Sequence, residues 1–383
     1  MTRPTCDFLI IGAGVAGVCL AADLAQAGHS VTVLDANQLC GGSSGLNAGG
    51  LRQQFTQEIN VRMAKASVER VEAITAGGTD VGHHQVGYLF LVTKPATVEP
   101  LQAAVRMQAG CGVPTTWLSP REILALVPAI VVDDVLGATF CPTDGYLDPV
   151  AVVQEVATQA RASGARIRQF SRVVAIETAR DRVGRVRLAN GDELSAGTVV
   201  NCAGAWSTTI AKLYGASLPV LPWRSQCFTV SSVPGLPRDF PVTIDFQHGK
   251  TWMHPDGANI LCGTDIGAAV DASWHVPFDS TAVGPLVERL VERVPAMQDT
   301  SIIGGWAGLL ELTADENPIA DWTHFDNLYT LAGFSGHGIC IAPGLTPHVA
   351  RQLTGEPGTL DLHPYAFERF TEGVAATEIL AMR

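Results

Sequence analysis

An apolar run, CDFLII (6–11), leads straight into Gly12-Ala13-Gly14-Val15-Ala16-Gly17. An alanine-rich amphipathic stretch then runs to Gln26, stops at Gly28, and gives way to a second apolar run, SVTVLD, that finishes on Asp35. Strand, glycine turn, helix and strand in this order form a βαβ unit, which constrains the N-terminal part of the chain to a parallel sheet with a helix on its face. The glycines have separate tasks. Gly12 allows the tight turn, Gly14 lets backbone approach a pyrophosphate, and Gly17 lets helix and strand pack closely. A diphosphate would sit at the helix N-terminus, among Gly14, Val15 and Ala16, where free N–H groups and the helix dipole favour negative charge. Asp35, followed by Ala36, would accept hydrogen bonds from a ribose. A βαβ unit without a ligand explains this spacing poorly, so the pattern predicts dinucleotide binding.

The next segment separates the flavin from the nicotinamide dinucleotides. GGSSGLNAGGLRQQF (41–55) is too long and too rich in small residues for an ordinary turn. Such a loop lets backbone N–H groups reach along a long, fixed cofactor. A nicotinamide dehydrogenase has no need of it here.

With 383 residues, the chain exceeds the size at which a single core stops growing, and two domains are expected. Acidic residues outnumber basic ones, 37 to 25, which argues against a nucleic-acid binder that relies on a broad basic surface. The nine cysteines contain no CxxC pair and no close Cys/His cluster. Neither a metal site nor a disulfide framework is expected, and a reducing cytoplasm fits best. The apolar stretch 8–22 is bracketed by Asp7 and Asp23, broken by glycines, and too short to span a bilayer.

Along the chain, a helix is expected over 57–74, a strand in VGYLFLVT (86–93), helices near 97–108 and in SPREILALVPAI (119–130), and an amphipathic helix in 148–164. RIRQF, VVAIET and RVRLANGDEL read as strands, with Asn190-Gly191 a hairpin turn. Residues 223–264 are strand-rich, and a helical segment follows over 282–294. Buried-strand-then-glycine patterns recur near 200 and 330, so the first domain is expected to be discontinuous.

Eight segments together resemble the D-amino-acid-oxidase-like (DAO) superfamily of FAD-dependent oxidoreductases, within it the sarcosine oxidase and dimethylglycine or proline dehydrogenase branch. They are IIGAGVAG, the Asp35 turn, GGSSGLNAGGLRQQF, GYLFLVT, DGYLDP, VVNCAGAWS, GWAGLLELTADENPI and GFSGHGICIAP, in family order from one end of the chain to the other. The resemblance implies an α/β plus α+β fold: a Rossmann-like FAD-binding domain with an inserted substrate domain built on a large mixed β-sheet. The expected division is 1–80, 145–218 and 320–375 for the cofactor, and 81–144 and 219–319 for the substrate. The implied reaction is hydride transfer from a carbon bearing an amine to flavin N5, giving an imine that hydrolyses.

Carried over to this chain, Gly12, Gly14, Gly17 and Asp35 hold the ADP half. Ser43, Ser44, Gly49, Gly50 and Leu51 line the pyrophosphate and ring system. Val173 reaches the adenine side by its backbone, and Ala203, Gly204 and Trp206 close over the cofactor. Gly333, Gly336, His337 and Gly338 lie beside the flavin ring, where a helix N-terminus would stabilise charge on the reduced ring. Arg52 matches an arginine near the flavin and the substrate carboxylate, with a loop-carbonyl role as its alternative. In KTWMH, strand alternation puts Lys250, Trp252 and His254 on one face, and the family places aromatic residues of this strand over the flavin. For Trp252 the alternative is core packing, for Lys250 a solvated strand end, and His254 is either a pocket wall or a satisfied structural histidine. His337 is either a flavin contact or a proton carrier. Glu311 either pairs with a substrate cation or is exposed. His83, His84 and His248 carry no supporting pattern.

The departures point the same way as one another. Gly308 stands where simple sarcosine oxidases attach flavin through a cysteine, so FAD is expected to be held non-covalently. Leu261 falls at about the position of an oxygen-activating lysine, and Cys340 replaces a lysine for the substrate carboxylate, leaving Arg52 or another donor such as Arg224. The expected activity is an amine or amino-acid dehydrogenase or slow oxidase, passing electrons to O2, a quinone or a partner protein, alone or in a homo- or hetero-oligomer. The alternatives are 2-hydroxy-acid oxidation and a flavin-bound assembly factor with little turnover.

Overall fold

The computed structural model describes residues 5–233, 235–246, 249–372 and 377–380. The N-terminal unit forms as its pattern requires. Strand Cys6–Ile11 runs parallel to Val31–Leu34 across helix Val15–Gln26. Further strands extend this into a six-stranded sheet in the order Ile319–Trp322, Leu328–Ala332, Ala196–Asn201, Cys6–Ile11, Val31–Leu34, Arg166–Arg168. Only the Ile319–Trp322 edge is antiparallel. Continuous apolar runs suit strands covered on both faces. Helices Glu58–Ala76 and Gly338–Thr354 pack together on one side, where a Cβ on Gly344 would lie 2.1 Å from the Met63 carbonyl. That contact is closed to any larger residue.

A second, nine-stranded sheet follows the path 268–269, 221–230, 259–263, 251–256, 242–245, 88–92, 137–141, 116–118, with Ile302–Leu312 paired along Leu221–Val230. Its strands alternate. Met253 joins a core with Leu286 and Leu290 of helix Val283–Arg293, while Trp252 and His254 face the other way, toward the first sheet. A three-stranded ladder spans 173–194, with Gly191 in the expected turn at φ +91°.

Local signals set the helix starts. Ser119 and Glu122 form a capping box on Pro120–Leu126, and the Asp148 carboxylate accepts from the N–H groups of Val150 and Ala151. No helix among the described residues is long and apolar enough to cross a membrane. His248 lies outside the described residues.

Candidate functional site

Two adjoining cavities lie where the sheets meet. The first, about 360 Å³, opens at the carboxyl ends of the six-stranded sheet, the place where parallel sheets bind ligands. Gly12, Gly14, Val15, Ala16, Asp35 and Ala36 line it, with Ser43 and Ser44 from the long loop. The glycines are sterically required. A Cβ on Gly12, at φ +113°, would sit 2.3 Å from the Cys202 carbonyl, and one on Gly14 would meet the Ser44 hydroxyl at 2.9 Å. Gly17 serves packing instead, since its Cβ would fall 2.0 Å from the Gly12 carbonyl.

Asp35 accepts the Ala13 N–H at 2.7 Å and the Asn37 N–H at 2.7 Å, so it fixes the glycine turn as well as facing the cavity. Burial raises its carboxyl above the usual range, against those two bonds. The Ser44 hydroxyl accepts the Val15 N–H at 3.0 Å at the helix N-terminus. The Ser43 hydroxyl is buried without a partner. An orphaned donor, glycines with no room for side chains and a helix N-terminus form a cradle that fits a diphosphate.

Val173, Ala203, Gly204 and Trp206 also line this cavity. Trp274, which the sequence reading missed, stacks on Trp206 with ring centroids 4.1 Å apart and closes the same wall. It arrives from an irregular stretch after strand Ala268–Ala269, where no periodic pattern marked it.

The second cavity, about 160 Å³, lies between this loop, residues 334–340 and the nine-stranded sheet. Gly50, Arg52, Trp252, His254, Glu311, Gly336, His337 and Gly338 line it. Gly49, Leu51 and Gly333 line neither cavity. Leu51 is fully buried against Gly145, Gly49 passes the Leu147 carbonyl too closely for a side chain, and Gly333 turns at φ +78°. Lys250 immediately precedes strand Thr251–Asp256 and also lines neither cavity, although its charge reaches His337 in the wall of the second. Arg224 is committed to Asp279 at 2.6 Å and is corrected as a substrate donor.

Trp252 and His254 continue an aromatic stack, His84–Tyr146–His254–Trp252, with centroid spacings of 5.0, 4.7 and 5.9 Å. His84 and Tyr146 thus acquire a role that sequence did not suggest. His254 Nδ1 lies 2.6 Å from the Pro255 carbonyl and Nε2 3.0 Å from that of Ala48. Backbone carbonyls flank both nitrogens, of which a neutral ring donates from one only, and this enclosure makes the ring a wall rather than a proton carrier. Burial lowers its pKa, with the two carbonyls opposing.

His337 is fully buried, edge-on to Phe55 with centroids 5.4 Å apart. Neither ring nitrogen makes a hydrogen bond of normal geometry. Burial, then the charges of Arg52 and Lys250, push its pKa well below 6.5, and the ring is neutral. Arg52 is 2% exposed, stacked 4.1 Å over Phe55, and donates to the carbonyls of Gln54 and, at 2.7 Å, Leu380. Its loop-carbonyl role is therefore real, and it coexists with a place in the cavity wall. Tyr88, a further lining residue, stacks on Phe90 and is held protonated by burial.

Gly308 lines the second cavity, and a Cβ there would lie 3.0 Å from the Leu46 Cβ. The position lacks the thiol, and a side chain there would press on Leu46. Cys340 donates to the Gly50 carbonyl at 3.2 Å.

Comparison with known proteins agrees with this geometry. The family described as FAD dependent oxidoreductase (DAO) matches residues 7–352. Rat (Rattus norvegicus) dimethylglycine dehydrogenase is 28% identical across 95% of this chain, which spans only 45% of that protein. Glycine oxidase of Geobacillus kaustophilus is 26% identical, covering 95% of this chain and 97% of the enzyme. The crystal structure of L-proline dehydrogenase from P. horikoshii superposes with a TM-score of 0.88 at 28% identity, over 97% of this chain and 99% of the other. With a nucleotide cradle on one sheet and an aromatic-walled cavity against the other, the chain belongs to the DAO family of FAD-dependent oxidoreductases.

Proposed function

We propose that this chain oxidises the carbon–nitrogen bond of a small amine or amino acid to an imine, which then hydrolyses. Bound FAD supplies the hydride acceptor. The observation that carries the reading is the second cavity, whose wall holds aromatic rings, a neutral imidazole and a single guanidinium, Arg52. Trp252, His254 and Tyr88 give a donor's apolar part a dry surface and exclude water. Arg52, the only Lys or Arg among the lining residues, attracts a donor carboxylate while its loop carbonyls fix its plane. His337, neutral and without a strong partner, tolerates the uncharged amine that hydride loss requires. The neutral imidazole of His337 feels the positive charges of Arg52 and, from outside the wall, Lys250.

The activity is that of a dehydrogenase or a slow oxidase. No lysine side chain lines either cavity, and the nearest ammonium whose charge is felt there, that of Lys250 on His337, stands outside the wall, which supports slow reaction with oxygen. The electron acceptor is O2, a quinone or a partner protein. FAD is held without a covalent bond at Gly308. The division into 1–80, 145–218 and 320–375 for the cofactor and 81–144 and 219–319 for the substrate is supported by the strands. All but one residue of the six-stranded sheet comes from the first set, and every strand of the nine-stranded sheet from the second. We place the protein in a reducing cytoplasm, the setting that suits nine cysteines without a paired motif in the sequence.

The test is anaerobic bleaching of the flavin by a panel of amines, α-amino acids, N-methylated amino acids and 2-hydroxy acids. Rapid bleaching by a nitrogen donor is expected. Bleaching by hydroxy acids alone, or by no small donor, overturns the reading in favour of hydroxy-acid oxidation or of an assembly role.

A further inference from the structure

Glu311 is the one ionisable residue that lines both cavities. It sits near the end of strand Ile302–Leu312, opposite Pro222, and projects between two loops of the cofactor sheet. Its Oε2 accepts the Gly333 N–H at 2.9 Å, and the Phe334 N–H also favours its charged form. On the other side, a Cβ added to Gly204 would lie 3.7 Å from Oε2. Among the described residues no Lys, Arg or His comes within salt-bridge distance of it, unlike the buried Asp245 and Asp315, which Arg293 and Arg369 answer.

Two backbone amides are modest compensation for a carboxylate that is partly buried between two cavities with no cation beside it. Burial pushes the Glu311 carboxyl up to about 7, against those amides. The charged groups around it offer no relief. On the neighbouring strand Arg224 pairs with Asp279 through Nη2, leaving its Nε without a partner, and does not come within salt-bridge distance of Glu311; Cys202 is held as a thiol by burial, and His337 is neutral. Across the first cavity stand Asp35 and Arg172, and in the second Arg52 is bound to its carbonyls. A diphosphate in the cradle adds like charge on the same side, which further disfavours an ionised neighbour. Both loops gripping Glu311 belong to the cofactor sheet, so its acidic proton points to the cofactor rather than to an amine donor.

We infer that Glu311 is held as a neutral carboxylic acid that donates its proton to the bound cofactor, and that loading the site above neutral pH takes up one proton. The assignment rests on the FAD cofactor and not on the identity of the donor. Failure of the amine panel leaves it standing, and its own failure leaves the amine reading standing.

The sign follows from linkage. A group that is half ionised near neutrality in the empty site and protonated in the loaded one lowers affinity as pH rises, about tenfold per pH unit. Asp35 acts in the opposite sense and at acid pH, because a ribose-binding carboxylate must be ionised. The experiment is equilibrium dialysis of the holoenzyme against FAD between about pH 7 and 9, with retained flavin read by absorbance. Wild type is expected to lose about tenfold in affinity per pH unit, and E311Q, a neutral donor of similar shape, to show a flat profile. A flat wild-type profile, or an unchanged slope in E311Q, overturns the inference. Infrared spectra of the wild-type holoenzyme at about pH 8 give an independent reading should the variant not fold. A protonated-carboxyl C=O stretch is expected, and its absence overturns the assignment.

Discussion

Arg52 donates to the carbonyl of Leu380 at 2.7 Å, a bond that joins residues 328 positions apart. The segment carrying Leu380 is tied down by Glu378, whose buried carboxylate accepts from the Thr56 N–H at 2.9 Å, the Thr56 hydroxyl at 2.8 Å and the Asn60 amide at 3.2 Å. Leu380 itself is fully buried among Tyr88, Phe90 and Ile244. The guanidinium in the cavity wall is thus positioned from a part of the chain far from it in sequence.

Arg52→Lys should therefore be a severe change. An ammonium cannot span two carbonyls while stacking on Phe55. For a carboxylate-bearing donor, KM is expected to rise at least about tenfold, roughly 1.4 kcal/mol, with a smaller effect on donors that lack the carboxylate. Equal loss on both donor types, in steady-state assays, would remove Arg52 from substrate recognition.

Glu378→Ala should release the same segment. Several buried donors lose their acceptor at once, and a stability loss of about 1–3 kcal/mol is expected, read by urea unfolding. An unchanged midpoint would mean that the segment contributes nothing to the fold.

The cradle gives a sharp contrast between glycines. Gly12→Ala puts a methyl 2.3 Å from the Cys202 carbonyl and should yield protein without flavin. Gly28, at φ +89° with open space around it, should accept Ala at a cost of about 1 kcal/mol and keep its colour. Absorbance of the two purified variants decides it.

Acid precipitation of the wild-type protein should release all its flavin into the supernatant, since Gly308 offers no thiol and stands against Leu46. Flavin retained in the pellet would contradict the non-covalent assignment.

Asp144 predicts a pH dependence of stability. It is fully buried and accepts from the Gln53 N–H at 2.8 Å and the Gln54 side chain at 3.2 Å, pinning the loop that carries Arg52. Burial raises its pKa to about 6 from 3.8. A folded-state pKa above the unfolded one means that the folded chain binds the proton more tightly. Its favourable contribution is full below about pH 4 and is lost as pH rises through about 6. D144N should flatten the unfolding free energy over that window, and an unchanged slope would place its origin elsewhere.

Much of the cofactor half was legible in sequence because its requirements are local. Gly12, Gly14 and Asp35 are forced by one turn, and the capping residues Ser119 and Asp148 announce their helices directly. The substrate half was only partly legible. Alternation placed Trp252 and His254 on one face, but their stack passes through Tyr146 and His84, which come from a distant hairpin-like pairing with the loop at Gly50. Lys250 fell outside the strand whose register it was expected to share. Trp274, Leu380 and Asp144 act through tertiary contacts that no spacing encodes. Arg224 looked available only because its partner, Asp279, lies 55 residues away.

The stacked indoles of Trp206 and Trp274 have a practical result. One ring belongs to a loop of the nucleotide sheet and the other follows the short edge strand Ala268–Ala269 of the nine-stranded sheet, so the stack bridges the two sheets beside the diphosphate cradle. The indole pair thus pins a loop of one sheet to the segment that follows a strand of the other, at the mouth of the cradle.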